Sequence, residues 1–134
     1  MHLPESAHTG RCLCGAVRYS VRGALRPVIA CHCSQCRRTS GHYSAMTSVA
    51  TEDLVLISSA ALTWYRSSPG AERGFCRTCG GNLFWRPDGE NRTSITAGTL
   101  DLPTGLDLAE HIFVEDKSDY YAIEEGVPQR SQWT

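Results

Sequence analysis

Hydrophobic and polar residues alternate along much of this chain. Val17, Tyr19 and Val21 are interleaved with Arg18, Ser20 and Arg22. A period of two puts one set on a buried face and the other in water, which predicts a half-buried strand. Further β-rich runs are Val28-Ile29-Ala30, Tyr43 to Val49, Leu54 to Ile57, Leu62 to Tyr65 and Asn82 to Trp85. Thr93 to Thr96, His111 to Val114 and Tyr120 to Ile123 follow. Gly23, Pro27, Ser68-Pro69-Gly70, Pro87-Asp88-Gly89 and Pro103-Thr104-Gly105 punctuate them as turns. No segment holds apolar residues at helical spacing for more than one or two turns. The pattern predicts an all-β fold of short antiparallel strands, in a sandwich or partly open barrel. Trp64, Phe75, Phe84 and Trp85 are expected in its core.

Composition narrows the function. The chain has 134 residues, which predicts one domain. Its net charge is -1 and Lys117 is its one lysine. No basic stripe marks a nucleic-acid interface. No apolar run approaches the roughly 20 residues that cross a bilayer. Met1 to Ser6 has neither the charged start nor the apolar stretch of a signal peptide, so a cytoplasmic protein is expected. Thiols stay reduced there, so clustered cysteines point to metal rather than disulfides. The odd total of seven also argues against full pairing.

Those seven form three groups: Cys12-Leu13-Cys14-Gly15, Cys31-His32-Cys33-Ser34-Gln35-Cys36 and Cys76-Arg77-Thr78-Cys79-Gly80-Gly81. On strands, Cys12 and Cys14 would share a face, and so would Cys31 and Cys33. A Cys-x-x-Cys turn aims two sulfurs at one point, and Gly80-Gly81 frees the backbone behind it. Zinc takes four such donors at about 2.3 Å in a closed structural site, and three in a site that keeps a position open. Seven thiolates divide naturally as four plus three. Two divisions are compatible with the spacing. Cys33 and Cys36 with Cys76 and Cys79 form a regular ribbon and leave Cys12, Cys14 and Cys31. Alternatively Cys12 and Cys14 join Cys76 and Cys79, leaving Cys31, Cys33 and Cys36. Local economy favours the second, because three thiolates within six residues can gather one ion unaided.

The cysteine runs carry a resemblance. Gly10-Arg11-Cys12-Leu13-Cys14-Gly15-Ala16-Val17-Arg18-Tyr19 resembles the opening motif of the glutathione-dependent formaldehyde-activating enzyme family, which also includes centromere protein V. Cys31 to Gly41 resembles its second motif and Phe75 to Gly81 its third. Ala97 to Asp101 and His111 to Lys117 are similar to its C-terminal blocks. The likeness runs from about Gly10 to about Pro128. It implies an Mss4-like all-β fold with two zinc ions per chain. Cys12, Cys14, Cys76 and Cys79 would hold structural zinc, and Cys31, Cys33 and Cys36 catalytic zinc. The implied activity is carbon–sulfur lyase chemistry, joining glutathione and formaldehyde as S-(hydroxymethyl)glutathione. No basic extension accompanies the motifs, so the resemblance implies no chromatin binding.

The chemistry suits the residues. A free thiol, with a pKa near about 8.5, is mostly protonated at neutral pH, whereas a zinc-bound one is ionised. Three protein thiolates weaken zinc as a Lewis acid but keep a bound sulfur nucleophilic. Arg37 and Arg38 follow the open site and could pair with glutathione carboxylates, or be solvated arginines on a turn. His32 is expected to face away from the metal, His42 to lie on the surface and His111 to pack or support the site. Asp116 and Lys117 read as a solvated turn. The competing expectation is a non-catalytic zinc module that binds a protein partner or senses metal or thiols.

Overall fold

The computed structural model describes residues 8–133. Its strands are β1 (His8–Arg11), β2 (Arg18–Val21), β3 (Val28–Cys31), β4 (Ser44–Val49) and β5 (Leu54–Ser58). They continue with β6 (Leu62–Ser68), β7 (Ala71–Cys76), β8 (Asn82–Pro87), β9 (Thr93–Thr96) and β10 (Leu108–Ile112). A single helix among the described residues, α1 (Ser34–Ser40), follows β3. The fold is all-β, and the sheets do not close into a barrel. No helix among the described residues is long and apolar enough to cross a membrane.

The chain divides into two compact units. The first joins the chain up to Arg26 with Thr47–Gly105. In it, β2 pairs antiparallel with β1 on one side and β5 on the other. Separately, β6 to β9 form an antiparallel meander in chain order. Val17, Tyr19, Val21, Leu83, Phe84 and Ile95 are buried and supply its core. Tyr19 meets Phe84 edge to face at 5.4 Å between ring centroids, the favoured geometry for an aromatic pair. Gly10 lets the backbone close over them. A Cβ there would run into the Tyr19 ring and come within 2.6 Å of the Thr99 carbonyl oxygen.

The second unit joins Pro27–Met46 with the chain from Leu106 on. Here β3 pairs parallel with β10 and antiparallel with the start of β4. The outer side of β10 is covered by the C-terminal segment. The His111 amide donates to the Pro128 carbonyl and the Arg130 amide to the His111 carbonyl, both at 2.9 Å. Sheet edges left bare are prone to pair with other chains, and this segment blunts one.

Several expectations are corrected. The strand expected over His111–Val114 lies earlier, at Leu108–Ile112. Phe113 ends it with φ 54°, a left-handed conformation that no strand continues. Tyr120–Ile123 is not a strand; its rings pack on histidines instead. β1 and β7 were not legible, since His8–Arg11 and Ala71–Cys76 lack clean alternation. Of the four aromatics expected in the core, only Phe84 is fully buried. Trp64 and Trp85 are half-buried beneath the guanidinium groups of Arg86 and Arg92, at 4.5 and 5.3 Å. Phe75 is half-buried as well.

Candidate metal centres

The seven sulfurs are gathered as four and three. Those of Cys12, Cys14, Cys76 and Cys79 all lie within 4.8 Å of one another, as do those of Cys31, Cys33 and Cys36. The ribbon of Cys33 and Cys36 with Cys76 and Cys79 is not the grouping adopted.

The four-cysteine group is built from two turns, not from the strands that the Cys12/Cys14 spacing suggested. Cys12 and Cys14 lie just beyond β1. The Gly15 amide closes back on the Cys12 carbonyl at 3.1 Å, and Gly15 has φ 80°. Cys76 ends β7, and the Gly80 amide closes on its carbonyl at 2.7 Å with φ 76°. These left-handed positions are open to glycine and strained for other residues, which is why each knuckle carries one. The Cys12–Cys14 and Cys14–Cys76 sulfur separations are both 3.7 Å. A disulfide needs about 2.05 Å, and all seven cysteines are free. Four sulfurs around a tetrahedral ion at 2.3 Å would stand about 3.8 Å apart. The donor set therefore fits a zinc-sized ion. Backbone amides of Cys14 and Gly81 directed at Cys79 also pull its thiol down to about 6.

The three-cysteine group sits where β3 passes into α1. Cys31 is the last residue of β3 and Cys33 caps the helix, its sulfur accepting from the Cys36 amide at 3.3 Å. Cys36 lies in the first turn and is buried. Crowding by the Cys33 and Cys36 sulfurs, with burial, pushes the Cys31 thiol up. The three cannot ionise together without a cation among them, so this donor set also fits a metal. Among the described residues no fourth histidine, cysteine or carboxylate joins them, so a tetrahedral ion held there would have one position for an outside ligand.

The neighbouring residues fall into two sets. Arg37 is one helical turn beyond Cys33, on the same face of α1. It is half-buried, and its Nε is buried without a hydrogen-bond partner. Arg38 is exposed. His32, between two of the cysteines, is buried and hydrogen-bonded through both ring nitrogens, to Tyr121 Oη and to His111 Nδ1, each at 2.8 Å. Burial, then the nearby His111, holds His32 down to about 4, and burial lowers His111 too, so both are neutral at pH 7. His42 is exposed and meets Tyr120. Lys117 is not a solvated turn residue. It is half-buried, donates to the carbonyls of Ser118 and Tyr121, and lies 4.3 Å from the Tyr121 ring centroid. The part played by Tyr121 was missed in the sequence, where Tyr120-Tyr121 read as strand.

The sequence profile of the glutathione-dependent formaldehyde-activating enzyme family matches residues 7–116. The chain belongs to that family. Two curated relatives agree in extent. A protein of Schizosaccharomyces pombe named as an uncharacterised lyase is 28% identical over 121 residues, covering 89% of this chain and 85% of its own. A Halomonas elongata protein, provisionally named as a glutathione-dependent formaldehyde-activating enzyme, is 32% identical over 127 residues. That match covers 86% of this chain and 80% of the relative. The crystal structure of a Rhodobacter sphaeroides protein superposes with a TM-score of 0.58 at 30% identity. It covers 70% of this chain and 88% of its own. For this member of the formaldehyde-activating family, the likeness therefore spans both cysteine groups.

Proposed function

We propose that this protein is a zinc-dependent carbon–sulfur lyase that joins a thiol, glutathione, to an aldehyde, formaldehyde. The observation that carries the reading is the three-cysteine group, which no fourth histidine, cysteine or carboxylate joins among the described residues. Family membership and the names of the relatives, one a lyase and the other a glutathione-dependent formaldehyde-activating enzyme, support the reaction class. Cys12, Cys14, Cys76 and Cys79 would hold a structural zinc, and Cys31, Cys33 and Cys36 a second. Zinc held by three thiolates supplies an open position and the charge that keeps an incoming thiol ionised at neutral pH.

The chain's own groups do the rest. Arg37, with its unpaired Nε, and the exposed Arg38 offer charge-assisted donors to the carboxylates of the peptide thiol. In the addition a carbon–sulfur bond forms as the carbonyl π bond breaks. The thiol proton ends on the aldehyde oxygen, so the product is the hydroxymethyl thioether with nothing lost. The uncatalysed addition is easy, so holding the thiolate and orienting its carboxylates are the main demands.

Cysteine variants test the division of labour. A structural zinc site contributes about 10–16 kcal/mol of apparent binding energy in small domains, against a net stability of about 5–15 kcal/mol for a whole domain. Cys14→Ala and Cys79→Ala should therefore give insoluble or molten chains. Cys36→Ala should stay folded, bind one zinc instead of two, and lose the acceleration of hydroxymethyl exchange between glutathione and formaldehyde. Circular dichroism, zinc analysis and exchange NMR read the three outcomes. A folded Cys14→Ala beside an unfolded Cys36→Ala would reject the assignment.

A further inference from the structure

His32 occupies a place that chemistry alone does not require. It separates Cys31 from Cys33, yet its side chain points into protein, 1% exposed. Its backbone is pinned, the amide donating to the Ile112 carbonyl at 3.0 Å. Both ring nitrogens are engaged, Nδ1 with Tyr121 Oη and Nε2 with His111 Nδ1. A doubly bonded, buried ring has one orientation, and the backbone that bears it also bears two of the three sulfurs.

The two partners are held in turn. His111 is 5% exposed and lies in β10, clamped through its own amide and carbonyl to Pro128 and Arg130. Tyr121 is braced by Lys117, and Tyr43 packs against both histidines, at 5.0 and 5.7 Å between centroids. Two hydrogen arrangements satisfy the chain. Either Tyr121 donates to His32 and His32 to His111, or every donor and acceptor is reversed. In both, removing the Tyr121 hydroxyl leaves a His32 nitrogen unpaired in the interior, which is costly.

We propose that Tyr121, His32 and His111 form a positioning chain for the three-cysteine centre. By fixing His32 it presets the Cys31 and Cys33 sulfurs before any ion arrives. Tyr121 and His111 thus govern metal affinity at a centre they do not touch. Supports of this kind around metal ligands typically change affinity by 10–100-fold. The inference rests on the reading of that centre as metal-binding.

The test uses the full chain as wild type, Tyr121→Phe, His111→Leu and His111→Asn. Zinc is withdrawn stepwise by a competing chromophoric chelator. Cobalt-substituted samples report the thiolate coordination of each centre by absorption, and circular dichroism reports the fold. The expected result is that Tyr121→Phe and His111→Leu release the ion of the three-cysteine centre, identified by its cobalt spectrum, about tenfold more readily than wild type. The ion of the four-cysteine centre and the fold stay as in wild type. His111→Asn, whose amide can replace the ring nitrogen facing His32, should restore most of the affinity. Unchanged affinity at the three-cysteine centre in both Tyr121→Phe and His111→Leu would overturn the proposal. So would loss of both ions together with the fold in Tyr121→Phe, which would mark the chain as general packing. A wild-type chain that takes up a single ion would instead reject the metal reading of the centre itself.

Discussion

Tyr19 shows how much one side chain can carry. It is fully buried under Gly10, edge-on to Phe84, with its hydroxyl 2.7 Å from Thr99 Oγ1. Burial is the largest influence on its phenol. The bond to Thr99 opposes it, Asp101 adds to it, and the pKa is pushed up to about 12 from an ordinary 10.0. In the unfolded chain the phenol ionises near pH 10, while the folded protein keeps it protonated until about pH 12. The folded state then binds more protons, so stability falls as pH rises through that window. Two pH units correspond to about 2.7 kcal/mol once the loss is complete. Tyr19→Phe removes the titrating group. It should cost about 1 kcal/mol at pH 7 through the lost hydrogen bond, since Thr99 Oγ1 keeps its own bond to the Thr96 carbonyl. Urea unfolding from pH 9 to 12 should then show a much flatter profile for the variant. Parallel profiles would contradict this account of Tyr19.

At the scale of elements, α1 concentrates the chemistry. Its seven residues provide a buried sulfur at Cys36 and a guanidinium at Arg37, while Cys33 caps its start with a sulfur and Gly41 closes its end in the left-handed region. Arg37 shares a face with Cys33, whereas Arg38 is rotated away toward solvent. Arg37→Gln should raise the KM for glutathione about tenfold, the worth of one charge-assisted hydrogen bond, about 1.5 kcal/mol. Its kcat should change little, and Arg38→Gln should stay within about twofold of wild type. Steady-state kinetics on both variants decides, and a larger effect at Arg38 would reverse the assignment. Elements differ in how plainly the sequence announces them. β2 alternates cleanly in sequence, with Tyr19 and Val21 buried and Arg18 exposed, although Ser20 on its polar side is buried too. β7 does not, because Arg73 and Gly74 are buried where a strand pattern calls for apolar side chains. The cysteine motifs were legible as candidate ligand groups, yet apart from the strand ends at Cys31 and Cys76 their supports are glycine-closed turns and a helix cap. Spacing of i and i+2 is shared by both geometries, so local sequence does not distinguish them. The His32–Tyr121 contact spans 89 residues, and nothing local encodes it.

At the scale of the molecule, the two cysteine groups constrain the chain very differently. The four-cysteine group links positions 62 residues apart, Cys14 and Cys76, so a metal there closes a long loop and takes entropy from the unfolded chain. The three-cysteine group closes only six residues and takes little. On the proposed reading, one centre would hold the fold and the other would exchange ligands without disturbing it. That second role depends on a metal with a position open to a thiol. Cobalt in place of zinc makes it visible, because sulfur entering the coordination sphere changes the ligand-field absorption. Titration with glutathione should alter the spectrum of the three-cysteine centre and saturate, with cobalt retained. S-methylglutathione, which has no thiol to ionise, should leave the spectrum unchanged. Equal responses to the two compounds, or no response to either, would contradict that role.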